Sequence, residues 1–203
     1  MNRPELSPEL AQDLLDSARR QAGRLQRLIE DLLMVSRIDR QAIPVAMETV
    51  GINQILTEVA DTVQGAENIT VSVAPISLQV TGDPDHLRRV FINLVENAIK
   101  YAPGSPVELV ARQFRDHVDV DVIDHGEGIP QGERIRVFEP FTQMERSDTR
   151  TKGGTGLGLS IVKGLTEAMN GRVTLSDTPG GGATFTVSLQ PAGALLPTER
   201  ALR

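Results

Sequence analysis

The sequence predicts an α/β fold: a mixed sheet with helices on one face, preceded by one long helix. Three observations carry this. Strand-like and helix-like segments interleave along the 203 residues. Several consecutive strands are separated only by short turns, which favours antiparallel pairing over the crossovers of a doubly wound parallel sheet. Residues 9–40 form a single stretch of heptad-like apolar spacing.

In that stretch Ala11, Leu14, Ala18, Gln21, Leu25, Leu28, Leu32 and Val35 fall three and four apart in alternation, the spacing of a helical seam. Leu15, Ala22 and Ile29 add a second row. Ser7 stands as the cap beside Pro8. Such a helix needs a partner. Two arrangements fit: the helix lies on its own globular domain, or it joins a bundle with another helix or subunit.

Pro44 ends the helix. A short strand over 45–50 and a helix over 52–64 follow. Strands come next at 69–73 and 76–81. Asp83 and Pro84 make an N-cap and first-turn pair for a helix from Asp85 to Tyr101. Strands 106–113 and 117–123 read as a hairpin around Arg115–Asp116, the second alternating strictly. A Gly-rich turn at 124–130, a short helix at 131–138 and an irregular stretch at 139–155 lead to helix 157–170. Strands 172–177 and 183–190, joined by Thr178-Pro-Gly-Gly-Gly182, close the fold. The tail from Pro191 has little pattern and is expected to fray. The expected division is 1–42, 43–190 and 191–203.

Composition excludes several functions. A net charge of −6 gives no general attraction to nucleic acid or anionic lipid. With 3% aromatics the core must be aliphatic, and stacking platforms for single strands are not expected. The absence of Cys excludes disulfides, thiolate metal sites and cysteine nucleophiles, and fits a reducing compartment. No apolar run reaches the ~18 residues of a membrane span, so no membrane contact and a cytoplasmic location are expected.

Three segments carry chemistry. On the 85–101 helix, Asn93, Asn97 and Lys100 lie at i, i+4 and i+7 and so share a stripe beside the apolar Leu87, Phe91, Leu94 and Ala98. Asn is a mediocre helix former. Its carboxamide oxygen suits Mg²⁺ and a lysine one turn on suits a phosphate. A solvated polar face also fits that stripe. Asp124-His-Gly126-Glu-Gly128 follows the alternating strand. Its glycines let the backbone approach a ligand, and Asp124 can accept a hydrogen bond from an exocyclic amine such as that of adenine. An ordinary Gly-rich turn fits as well. Lys152-Gly-Gly-Thr-Gly-Leu-Gly-Leu-Ser160 has four glycines in six residues and opens onto a helix, which makes an anion cradle. It lacks the Gly-Lys-Ser/Thr ending of a Walker loop and the strand context of a dinucleotide fingerprint.

In this order the segments resemble the ATP-binding domain of sensor histidine kinases, within the wider family that includes gyrase-type topoisomerases. Asn93-Leu-x-x-Asn97-Ala-x-Lys100-Tyr101 is similar to the N box and Asp124-x-Gly126-x-Gly128 to the G1 box. Phe138-Glu-Pro-Phe141 is similar to the F box and Gly154-Thr-Gly-Leu-Gly-Leu159 to the G2 box. Gly82-Asp-Pro-Asp-x-Leu87 and Gly182-Ala-Thr184-Phe185 add to the likeness, the latter with Ala183 inserted before the threonine.

The resemblance implies a two-layer α/β sandwich with an ATP lid at about 139–155, and ATP and Mg²⁺ as ligands. It implies that Asn97 carries the metal, Asn93 positions it or the phosphates, and Lys100 reaches the phosphate chain. Those three are the implied catalytic residues. Tyr101 packs on the adenine and Asp124 holds its amine. The backbone of Gly154, Gly156 and Gly158 wraps the phosphates, with Lys152 and Arg150 near them. Gly126, Gly128, Ile129, Phe138, Thr155, Leu157, Leu159 and Thr184 are the further implied cofactor-binding residues. Helix 9–40, with Leu32-Leu33-x-x-Ser36-Arg37-Ile38-Asp39, resembles the second helix of the dimerisation and phosphoacceptor hairpin. A dimer through that helix, a histidine-containing phosphoacceptor domain and a response regulator are the implied partners.

The pattern departs from the family in one respect. The three histidines, His86, His117 and His125, lack the helical context of the phosphoacceptor, and the first hairpin helix is missing. The expectation is a chain that binds Mg·ATP, donates the γ-phosphoryl to a histidine elsewhere and does not phosphorylate itself. The hydrolysing branch has a Glu where this chain has Asn93, and an amide is no general base. Glu96 adjoins Asn97 and is expected to point about 100° away around the helix. An anti-sigma-type serine kinase and a non-catalytic ATP-dependent interaction module are the alternative readings.

Overall fold

The structure, a computed structural model, describes residues 7–63, 68–143 and 155–193. Helix α1 (Pro8–Asp39) is followed by β1 (Glu48–Gly51), α2 (Ile52–Thr62), β2 (Ile69–Ala74) and β3 (Gln79–Gly82). Then come α3 (Pro84–Tyr101), β4 (Val107–Gln113), β5 (Val118–Ile123), α4 (Gly158–Ala168), β6 (Arg172–Asp177) and β7 (Ala183–Pro191). The expected short helix at 131–138 is two single 3₁₀ turns, Gln131–Glu133 and Arg136–Phe138. That segment has no apolar stripe to hold a longer helix, and Ile135 within it is exposed.

The sheet is mixed, as the sequence indicates. Its order is β1-β3-β7-β5-β4-β2, with β6 also on β7. β4 and β5 form the expected hairpin, and so do β6 and β7. β2 and β3 do not pair with each other: β2 joins β4 in parallel, whereas β3 lies between β1 and the end of β7. Alternation along each strand assigns the faces. Val71, Leu109, Val122, Phe185 and Leu175 line up in register across five strands, and Val73, Ala111, Val120, Val187 and Val173 form the next row. The opposite face is polar. There Asp121 accepts from Thr186 and Arg112, and Asp119 accepts from Ser188.

Helices α2, α3 and α4 bury the apolar face. Ile52, Ile55, Leu56 and Val59 of α2 recur at helical spacing and are buried. α3 buries Leu87, Val90, Phe91, Leu94, Val95 and Ala98 on one side, which leaves its other side for the cavity described below. Phe91 sits wholly in this core.

Over its last turns α1 takes the first of the two arrangements. Its C-terminal turns lie on the domain: Val35 is buried, Asp31 pairs with Arg89 of α3 at 2.8 Å, and Ile38 fills the groove at Gly164 of α4. A Cβ at Gly164 would lie 2.5 Å from the Ile38 Cδ1. The rest of the apolar seam, including Leu14, Leu25 and Leu32, remains exposed together with Leu15 and Ile29.

Asp83 ties the linker after α1 to α3. Its Oδ1 accepts from the amides of Asp85 and His86, and its Oδ2 accepts from the amide of Ala46 at 2.8 Å. Burial alone would push this carboxyl up; the amides of Ala46, His86 and Asp85 and the neighbouring His86 outweigh it and hold it below its ordinary 3.8. A carboxyl lowered by folding stabilises the fold above 3.8 and loses that contribution as pH falls through the folded-state value. Asn caps a helix about as well as Asp, but it replaces an ionised acceptor of three amides by a neutral one, so Asp83→Asn should lower stability by about 1 kcal/mol at neutral pH. The deficit should close below the ordinary aspartate value. Urea midpoints of both proteins across that range check it, and a deficit constant into strong acid would show that ionisation contributes nothing.

Candidate nucleotide site

One cavity of about 480 Å³ opens between α3, the start of α4, the loop after β5 and the flank of α1. That size suits a small organic ligand. Its α3 wall presents Asn93, Asn97, Lys100 and Tyr101 together. The Lys100 ammonium donates to the Tyr101 hydroxyl at 3.1 Å and lies 4.7 Å from the ring centroid. Glu96 lines the same wall, contrary to the expectation that it points away. A step of three residues from Asn93 is 300°, only about 60° short of a full turn. Glu96 therefore shares the face of Asn93 even though it is one step from Asn97.

The floor is the loop after β5. Asp124 is buried, and its Oδ1 accepts from the amides of Gly126 at 3.0 Å and Ala183 at 3.1 Å. Its second carboxylate oxygen makes no hydrogen bond among the described residues, and Asp124 lines the cavity. Two glycines allow the closest approaches. Gly182, at φ +111°, leaves no room for a Cβ, which would overlap the Asp124 carbonyl. Gly128, at φ +71°, faces the Gly182 carbonyl, and a Cβ there would come within 2.8 Å of it.

The third wall is the end of the glycine run. Thr155, Gly156, Gly158 and Leu159 line the cavity. Gly158 opens α4, and a Cβ there would lie 3.3 Å from the Asn93 Oδ1. The start of α4 thus lies against the two asparagines, and a helix start, whose first amides have no intrahelical partner, suits an anion.

Four expected ligand contacts do not line the cavity. Leu157 is buried in the core, and its amide donates to the Thr155 hydroxyl. Gly126 packs against Tyr101 and Ala102, fitting the loop to the end of α3. Phe138 stands edge-on to Phe185 at 6.2 Å, so it supports a cavity residue. The Thr184 hydroxyl pairs with that of Thr178 at 2.9 Å across the β6–β7 turn. Ile129 and Gly128 do line the cavity. Lys152, Gly154, Arg150 and most of the expected lid lie outside the described residues.

The sequence reading missed other lining residues. Glu127 adjoins Gly128, while Ala183 and Phe185 enter through the pairing of β7 with β5, which no local pattern announces. Arg24, Arg27, Leu28 and Asp31 enter from α1. Among the described residues no cluster of three acidic or histidine side chains could hold a metal by itself. Mg²⁺ retains waters and takes phosphate oxygens readily, so one Asn97 carbonyl beside a polyphosphate fits the ion.

The histidines sit away from any exposed helix face. His86 approaches Asp83 at 3.6 Å near the start of α3, and His125 pairs with Glu108 at 2.8 Å. His117 stacks on Phe114, and the hydrogen bond that its Nδ1–H donates to the Asp116 carboxylate raises its pKa above 6.5. Gly182→Ala tests the floor. The strained φ and the overlap with Asp124 should cost about 3 kcal/mol or more, and ligand binding should be lost with the loop. Thermal unfolding and calorimetry read both, and a variant of native stability would overturn the close approach.

Residues 82–193 match the family described as histidine kinase-, DNA gyrase B- and HSP90-like ATPases. The chain is 36% identical over 177 residues to the sensor protein KdpD of Rathayibacter rathayi, covering 87% of this chain and 20% of that protein. It is 32% identical over 187 residues to the sensor protein kinase WalK of Staphylococcus epidermidis, covering 89% of this chain and 31% of that protein. The chain thus spans about a fifth to a third of these curated relatives. Among solved structures, full-length ShkA in complex with AMPPNP is similar at TM-score 0.78 and 29% identity, over 95% of this chain and 41% of that one. The mycobacterial sensor histidine kinase MprB follows at TM-score 0.63 and 28% identity, over 72% of this chain and 98% of that one. The family match spans more than half of the chain, and its relatives are sensor kinases: the chain belongs to the histidine kinase-, DNA gyrase B- and HSP90-like ATPase family and carries the ATP-binding catalytic domain of a sensor histidine kinase.

Proposed function

We propose that this chain binds Mg·ATP in the cavity beside α3 and donates the γ-phosphoryl group to a histidine on a helix this sequence does not contain. The observation that carries the reading is the convergence of Asn93, Asn97 and Lys100 with Asp124 and the Gly158 end of α4 on one cavity. Asp124 has one oxygen fixed by two amides, so its other oxygen is oriented to accept from the adenine amine. Tyr101 offers its ring to the base, Lys100 its charge to the phosphates, and Gly156 and Gly158 their amides. Asn97 holds the metal through its carbonyl, and Asn93 orients the phosphates beside it. Bound Mg²⁺ supplies neutralisation of phosphate charge. In the transfer the acceptor imidazole nitrogen bonds to the γ-phosphorus, the bond to the bridging oxygen breaks, and ADP leaves. The chain's residues contribute positioning and charge.

Among the relatives reported above WalK is a sensor protein kinase and MprB a sensor histidine kinase, which favours histidine over serine as acceptor and catalysis over a purely binding role. Partners follow as part of the proposal: a phosphoacceptor domain, a response regulator and a dimer through the exposed seam of α1. Residues 1–42 would serve that hairpin and 43–190 the ATP domain. No described helix is long and apolar enough to cross a membrane; a reaction that draws on ATP places the domain on the cytoplasmic side.

Asn97→Ala should lower Mg-dependent ATP affinity by at least about tenfold, the scale of a lost charge-assisted contact. Titration calorimetry with and without Mg²⁺ checks it, and tight Mg-dependent binding by the variant would remove the metal role. The purified chain with γ-labelled ATP should take up no acid-labile label and release phosphate slowly. Label on His86, His117 or His125, or brisk turnover, would contradict the proposal.

A further inference from the structure

We infer that Arg24 and Arg27 of α1 are part of the nucleotide site and contact the polyphosphate, so that the nucleotide clasps α1 to the ATP domain. The inference rests on the reading of the cavity as an ATP site and adds a fourth wall to it.

Both arginines line the cavity that holds Asn93 and Asn97. Among the described residues neither makes an ion pair or a hydrogen bond. They lie one turn apart on α1, on the side that continues into Asp31, Val35 and Ile38, the residues that dock the helix. The exposed apolar seam runs along another side, so the arginines are held by the docked face and not by the seam.

Helix geometry says which part of the cavity they reach. Asp31 is pinned to Arg89 at 2.8 Å. From that pin Arg24 lies seven residues back along α1, about 10 Å. Asn93 and Asn97 lie four and eight residues forward along α3, about 6 and 12 Å. Both sets line one cavity, so the two helices leave the pin in the same direction. The arginines therefore stand beside the asparagines and the Gly158 amides. Tyr101, at the base end, is farther along α3, where the floor loop that carries Asp124 packs against the end of the helix.

Charge agrees with this position. Asp31, the acid on the arginine face of α1, is already paired with Arg89. Glu96 is the only other acid on the asparagine wall among the described lining residues, whereas Asp124 and Glu127 belong to the floor loop. Two planar guanidinium groups beside helix-start amides recognise phosphate oxygens, bidentately where geometry allows. A nucleoside triphosphate is the chemical class, and a monophosphate or nucleoside would leave the arginines unused. The coupling is reciprocal: whatever undocks α1 must weaken triphosphate binding, and triphosphate must strengthen docking.

The test compares ATP and AMP. Titrations of the whole chain with each, for wild type and for Arg24→Gln/Arg27→Gln, give four affinities. Both arginines are exposed, so the variant should fold, and unchanged thermal unfolding verifies this. Affinity for ATP should fall about tenfold, while that for AMP stays within about twofold. Lysines at both positions should restore part of the ATP affinity. Hydrogen exchange supplies the second readout: ATP should protect α1 amides over 24–38 in wild type and not in the glutamine variant. Equal losses for ATP and AMP, or undiminished protection by ATP in the variant, would overturn the inference while leaving the site standing. Failure of the wild type to bind ATP at all would overturn the underlying reading and the inference with it.

Discussion

The site depends on a backbone-to-backbone contact. Where β5 ends, Asp124 pairs its own amide with the Ala183 carbonyl, and its carboxylate receives the Ala183 amide in return. Gly182 lies directly under the Asp124 carbonyl, and Gly128 lies against Gly182. No residue with a Cβ fits either approach, and both φ values are positive. This contact fixes one carboxylate oxygen and turns the other toward the cavity. It also joins the floor loop to β7, so the geometry of a cavity-lining aspartate is set by the central strands of the sheet.

α3 connects the core to that floor. One side of it carries Leu87, Phe91, Leu94 and Ala98 into the aliphatic layer, and another carries Asn93, Asn97 and Lys100 to the cavity. The helical period makes the two sides inseparable: the packing that fixes rotation of the apolar side also fixes the direction of the amides. Asparagine in a helix interior is unfavourable by itself, and the buried stripe beside it offsets that cost. The Asp83 cap, with its third hydrogen bond from Ala46, sets where the helix begins and so its register against the sheet.

α1 divides its surface between two tasks. Near its C-terminus it adheres to α3 and α4 through Asp31, Val35 and Ile38, at a groove that only glycine at position 164 leaves open. Along the remainder it exposes a leucine-rich side of the kind that seeks another helix. A helix attached to the catalytic domain at one end and available to a partner along the other can carry a conformational state between them.

The elements, and most of the segments that line the cavity, are legible in the sequence. Periodicity located α1, α3 and the two hairpins, because apolar spacing is a local property and each of these elements buries a continuous stripe or an alternating face. The glycine runs and the spaced asparagines marked segments that line the cavity, since close backbone approach and metal-suited amides leave a residue-type signature. The roles of the aromatic residues are set by packing: Phe91 is core, Phe114 stacks on His117, and Tyr101 and Phe185 line the cavity. The tertiary contacts set the parallel run of β2 beside β4, the entry of Ala183 and Phe185 into the cavity, and the cavity that Arg24 of α1 shares with the asparagines. Each of these is set by contacts between distant segments, where packing and strand pairing choose among neighbours that local spacing leaves equivalent.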